Sequence, residues 1–170
     1  MKHYLQTIFA AALAAGCLSA QTASPFIAES KTGFTAVKNN LQRMAEAMPE
    51  ENYSYKPTPE IRAFGELIAH IADAQARFCS TVAGAPKAVN AASKKSKADL
   101  VAALKESSDM CDAAFDSLTD ATASQPAGGG RSKLGTLQYN TGHSLEEYGY
   151  GSVYLRLKGI VPPSSAGRGR

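Results

Sequence analysis

Four stretches of the chain read as helices separated by punctuated loops; the first three carry one-sided apolar stripes, the first at three- and four-residue intervals. Phe34, Val37, Leu41, Met44 and Met48 mark the first, expected over about 29–48 and ended by Pro49. The second is expected to open at Thr58, a capping residue followed by Pro59 at the first helical position. Ile61, Phe64, Ile68, Ile71, Phe78 and Val82 give it one stripe, and Gly84 and Pro86 close it. The third opens at Ser96, with Asp99 three residues on in a capping-box arrangement, and faces inward through Val101, Leu104, Met110, Ala114, Phe115 and Leu118. The fourth spans about 132–158, stopped by Gly159 and Pro162-Pro163. Polar connections at 83–95 and 120–131 separate them, the second holding Pro126 and Gly128-Gly129-Gly130. No strand pattern or internal repeat competes. The expectation is an all-α fold, one four-helix bundle over 25–165, with a disordered tail past Ser164 that includes 166–170.

The N-terminus follows a different logic. Lys2, the apolar run Ile8 to Ala15 and the small residues Leu18-Ser19-Ala20 read as a signal peptide over 1–20, cleaved before Gln21. Ala14-Ala15-Gly16-Cys17 also resembles the pattern ahead of an acylated cysteine, so a lipoprotein anchored at Cys17 is the alternative to a periplasmic or secreted protein. The run is shorter than the ~20 residues a membrane span needs. A length of 170 residues with 44% hydrophobic content fits one domain with a core of its own. The net charge of +3 is small and comes partly from Lys2, Arg168 and Arg170. No basic stripe interleaved with aromatics exists, so no nucleic-acid partner is expected.

Two histidines remain beyond the leader, His70 and His143, each near the middle of an expected long helix. His143 and Glu147 are spaced i,i+4 and project from one helix face, with Asn140, Tyr150 and Tyr154 on the same strip as pocket-lining residues. Two imidazoles and a carboxylate suit a divalent ion with positions left open for water or substrate. The bland alternative is a half-buried histidine and a surface His–Glu pair. Cys79 and Cys111 are an even pair for an oxidising compartment, against the alternative of two buried free thiols. Counted from Thr58 and Ser96, they lie ~31 and ~22 Å along their helices. Parallel helices two and three would bring them to similar heights, and the 13-residue connection 83–95 can reach ~40 Å to return along the bundle. A Cys79–Cys111 disulfide and an up-down-down-up order with a long crossover between helices two and three are therefore expected.

The segment Met48-Pro-Glu-Glu-Asn-Tyr-Ser-Tyr-Lys-Pro-Thr-Pro-Glu60, followed by Phe64-Gly-Glu-Leu-Ile-Ala-His70, resembles the loop and second helix of the DinB-like superfamily. His143-Ser-Leu-Glu-Glu-Tyr-Gly149 and Tyr154-Leu-Arg-Leu-Lys-Gly-Ile-Val-Pro-Pro163 resemble its fourth helix and closing turn, so the likeness covers roughly 29–165. It implies the same helix order, frequent pairing as homodimers, and a divalent metal such as zinc, nickel or iron held by one histidine of helix two and an H-x-x-x-H pair of helix four. His70 and His143 match; Glu147 stands where the second histidine of the pair usually is. Thiol-dependent transferases occur among such proteins, but export removes the chain from the reduced cytoplasmic thiols, whereas hydrolysis by a metal-activated water needs none. Glu147 would then be a ligand, and Tyr150 or Tyr154 would orient the small-molecule substrate. The expected function is an exported metal-dependent hydrolase or transferase. The alternative is a non-catalytic binding or stress-associated bundle with a vestigial metal site.

Overall fold

Four long helices form in the four stretches where helices are expected. The computed structural model describes residues 24–167 and holds α1 (Pro25–Ala47), α2 (Phe64–Ala83), α3 (Lys97–Asp116), a single turn α4 (Asp120–Ala123) and α5 (Lys133–Leu157). The segment 1–20 expected to be a signal peptide, Cys17 and Arg168–Arg170 lie outside the described residues.

Several of the predicted ends hold for the predicted reasons. Ser96 Oγ accepts the Asp99 N–H at 3.1 Å, and Ser132 Oγ accepts the Gly135 N–H at 3.1 Å, so α3 and α5 each begin on a serine cap. The Asp99 carboxylate takes the Ser96 hydroxyl at 2.7 Å. Gly84 ends α2 in the left-handed region, at φ 73°. Lys97, at the start of α3, donates to the carbonyls of Glu46 and Met48 at 2.8 Å each and so supplies a cation to the C-terminal end of α1.

The start of α2 is a correction. The helix opens at Phe64, six residues after Thr58. The loop before it supplies a better set of acceptors than Thr58 could: Tyr55 and Tyr53 carbonyls take the Phe64 and Gly65 N–H groups at 3.0 and 2.8 Å, and Glu66 takes the Ala63 N–H at 2.7 Å. Tyr53 anchors that loop, its hydroxyl donating to the Ala45 carbonyl at 2.7 Å and its ring meeting Phe64 edge-on. Ile61 therefore lies outside the stripe and is 40% exposed. The connection 120–131 also differs from a plain loop. It folds into α4 and a two-strand hairpin, β1 (Pro126–Gly128) with β2 (Arg131–Ser132), because Gly128, Gly129 and Gly130 all take positive φ. Strands this short show no alternation a sequence could betray. The tail is more ordered than expected: Pro163–Ser165 forms a 3-10 turn, Ser164 N–H donates to Tyr148 Oη at 2.8 Å, and Arg156 reaches Ser165 Oγ.

Contacts fix the helix directions. Gly65 faces Leu100, Gln75 meets Ser107 and Ser108, and Cys79 is bonded to Cys111, so α2 and α3 advance together and run parallel. His70 meets His143 and Leu67 faces Gly151, so α2 and α5 run antiparallel. Lys38–Asp112 and Lys97–Glu46 make α1 and α3 antiparallel, while Ser30–Gln138 and Met44–Gly151 make α1 and α5 parallel. The order is up-down-down-up. Asp73 secures the crossover by accepting the Ala91 and Ala92 N–H groups at 2.8 and 3.0 Å. Cys79 lies fifteen residues past Phe64 and Cys111 fourteen past Lys97, so with α2 starting at Phe64 the two heights agree; their Cα atoms are 4.8 Å apart across the disulfide. Phe34, Leu41, Met44, Ile68, Ile71, Leu104, Phe115, Leu137 and Leu155 fill the core. None of the described helices is long and apolar enough to cross a membrane.

Candidate metal centre

The antiparallel pairing of α2 with α5 brings His70, six residues past the Phe64 start of α2 and so nearer its beginning than expected, to the height of His143 near the middle of α5. His70 Nε2 and His143 Nε2 are 3.1 Å apart, and Glu147 Oε1 lies 3.4 Å from the first and 3.5 Å from the second. One α5 face supplies His143 and Glu147, one turn apart; α2 supplies His70 opposite. The arrangement sinks inward from His70, whose side chain is 33% exposed, through His143 at 17% to Glu147 at 7%.

Three donor atoms in a nearly equilateral triangle, all within 4.8 Å of one another, could hold a metal ion. Ligands bound at ~2.0–2.1 Å to a tetrahedral ion stand about 3.3 Å apart, and the observed edges bracket that spacing. The second Glu147 oxygen, Oε2, is buried with no hydrogen-bond partner, as is His143 Nδ1. A carboxylate this deep needs compensation, and the triangle offers only neutral imidazoles or protonated ones. Burial, then the Arg62 charge, hold the His70 pKa below its ordinary value, with Glu147 pulling the other way. His70 is therefore neutral near pH 7 and free to ligate. On donor type, spacing and burial, the residues fit a divalent ion.

The remaining expected pocket residues divide. Asn140 does not face the triangle: it is fully buried, with Nδ2 3.6 Å from Cys111 Sγ. Its neighbours there are a polar seam that sequence reasoning missed. Fully buried Gln75 donates to Ser144 Oγ at 3.2 Å and accepts from Ser107 and Ser108 at 3.0 and 3.1 Å, tying α2, α3 and α5 together. The signal was available, since Gln75 sits on the same stripe as Ile68 and Ile71. Tyr150 is 53% exposed, and its hydroxyl donates to Glu146. Tyr154 is buried and donates to the Arg62 carbonyl at 2.7 Å, which makes it a strut for the loop before α2. Tyr150 and Tyr154 nonetheless line a cleft of about 670 Å³ that reaches Glu147, and a second of about 880 Å³ opens beside His70. Arg62 borders both. Nothing in the sequence marked it, because an arginine in a polar loop has no periodicity to betray its place.

Comparison with protein-family models matches residues 34–150 to the DinB superfamily, a range that includes all three donors. No curated protein matches the chain.

Proposed function

The chain belongs to the DinB superfamily, and on that premise we propose that it is an exported metal-dependent hydrolase or transferase whose ion is held by His70, His143 and Glu147. The observation that carries the reading is the 3.1, 3.4 and 3.5 Å triangle of donor atoms, two of them imidazole nitrogens and one a buried carboxylate oxygen. A divalent ion with three protein ligands would supply a Lewis acid with a position left for water or substrate. The chain's own contribution is to hold the two imidazoles from separate helices, keep His70 unprotonated, and shelter Glu147 from solvent. Glu147 acts as a ligand and not as the base. The two flanking clefts give a small molecule access to the open side.

Zinc, nickel and iron all accept this donor set. The disulfide between Cys79 and Cys111 supports an oxidising compartment and so the export reading. The rival reading, a non-catalytic binding or stress-associated bundle with a vestigial site, draws on His143 Nδ1, which has no acceptor to fix its ring as ligating histidines usually do.

Metal analysis of protein purified from a periplasmic preparation separates the two. About one divalent ion per chain is expected, lost in His143→Ala while the helical content is unchanged. A folded, metal-free wild-type protein that takes up no added zinc, nickel or iron(II) would favour the vestigial site.

A further inference from the structure

Among the described residues, Arg62 has no partner for its charge. Arg77 stacks on Phe78, Arg131 on Tyr139, and Arg156 bonds to Ser152 and Ser165, whereas the guanidiniums of Arg62 and of Arg43, the latter on the exposed face of α1, make no ion pair or hydrogen bond among those residues; only Arg62 borders the clefts beside the donors. Its backbone, by contrast, is held on one side by the Tyr154 hydroxyl at 2.7 Å, and the next residue is held by Glu66. The side chain is therefore exposed on a fixed stem and borders both clefts, one lined by His70 and the other by Glu147. The smaller cleft is walled by Ile61, Leu67, Val153 and the rings of Tyr150 and Tyr154, with Glu147 at its inner end. Its charged lining is one cation, Arg62, against Glu60 and Glu147. An unpaired guanidinium at the mouth of an apolar cleft suits a planar, singly charged anion, which it can grip through two parallel N–H bonds. A doubly charged head would meet two carboxylates with only one cation to offset them.

We propose that Arg62 is the anion seat of the substrate site, and that the site takes a small amphipathic carboxylate with its apolar body in the Ile61–Leu67–Val153 cleft and its head between Arg62 and the donor triangle. The direction of the bound molecule rests on the metal reading above; the seat itself rests on Arg62 and the cleft. Tyr154 is then a positioning residue that holds the Arg62 loop, and the selectivity it supports is for charge as well as for shape.

Octanoate and its neutral counterpart octanamide are suitable probes, titrated calorimetrically into the full chain with and without zinc, with zinc counted in every sample. The wild-type protein should bind octanoate at least about tenfold more tightly than octanamide. Arg62→Gln should lose that advantage while leaving octanamide within about twofold and zinc content unchanged, and Arg62→Lys should keep part of it. Equal octanoate affinity in the wild type and Arg62→Gln, or an equal loss for both probes, would overturn the seat. A wild type that takes up no zinc counts against the metal centre instead, and the octanoate–octanamide difference measured without metal still decides the role of Arg62.

Discussion

At the scale of single residues, the site turns on which groups are charged. Burial and the Arg62 guanidinium lower the His70 pKa, so the unfolded chain takes up this proton at about pH 6.5 while the folded one resists it until lower pH. The unfolded state thus binds more protons across the window just below 6.5, and the contribution of His70 to stability is present above it and lost as pH falls through it. The metal-free protein should show a urea midpoint that drops from pH 7.5 to 5.5, and His70→Gln should remove that part of the drop. A wild-type and variant difference that does not change with pH would contradict it. Glu147 is the second decisive residue. Glu147→Gln keeps the shape but removes the charge, and should weaken zinc binding by at least about tenfold, while Glu147→His should retain it; competition with a chelating dye measures both. The donors are legible in the sequence because His70 and His143 are the two histidines past residue 20 and fall within expected long helices. Asn140 is misplaced by the same reasoning for an equally physical cause. Sharing a strip with His143 does not decide which neighbour a side chain meets, and a buried amide turns toward the seam around Cys111.

At the scale of helices, the close approach of α5 to α1 is set by one glycine. A Cβ on Gly151 would come within 2.2 Å of Met44 Sδ and 2.6 Å of its Cε, so the flexible end of this fully buried side chain would have to shift within the core. Gly142 and Gly149, on the same helix, would meet nothing within 4 Å. Replacing either of the latter with alanine should raise stability by about 0.5–1 kcal/mol through helix propensity alone. Gly151→Ala should lower it, since overpacking costs about 1–3 kcal/mol against that same gain. Urea unfolding of the three variants checks the order, and equal stabilisation by all three would show that the helices are not packed as described. The disulfide acts between elements too. It closes a separation of 32 residues across α2 and α3, so the double Cys79→Ala/Cys111→Ala variant should lose about 3–4 kcal/mol with its circular dichroism unchanged. Helix existence is readable from periodicity in α1, α2 and α3, and in α5 from the Gly159 and Pro162-Pro163 stops, while α4 goes unannounced; an end is readable where one side chain caps, as at Ser96. The start of α2 is not, because its cap is built from the carbonyls of Tyr53 and Tyr55 and the carboxylate of Glu66, a set assembled only when the loop folds back.

At the scale of the whole molecule, the up-down-down-up order is what makes a two-helix site workable. It sets α2 antiparallel to α5, so His70 comes opposite His143, and parallel to α3, so Cys79 comes opposite Cys111. The length of the 83–95 connection carries that information in the sequence; nothing there marks the small hairpin after α4 or the pinned Ser164–Ser165 turn, since each depends on contacts remote in the chain. Export belongs to this scale as well. Protein recovered from the periplasm should begin near Gln21 or be blocked at an acylated Cys17, and an N-terminal sequence starting at Met1 would overturn export. The central claim is that His70, His143 and Glu147 hold one ion together. X-ray absorption at the zinc edge of the zinc-loaded chain, beside His143→Ala and Glu147→Gln, tests it most directly. Two imidazole nitrogens and oxygen ligands at ~2.0–2.1 Å are predicted in the wild type, with one imidazole missing in the first variant and the oxygen shell altered in the second. A zinc spectrum that is the same in all three proteins would place the ion elsewhere and contradict the claim.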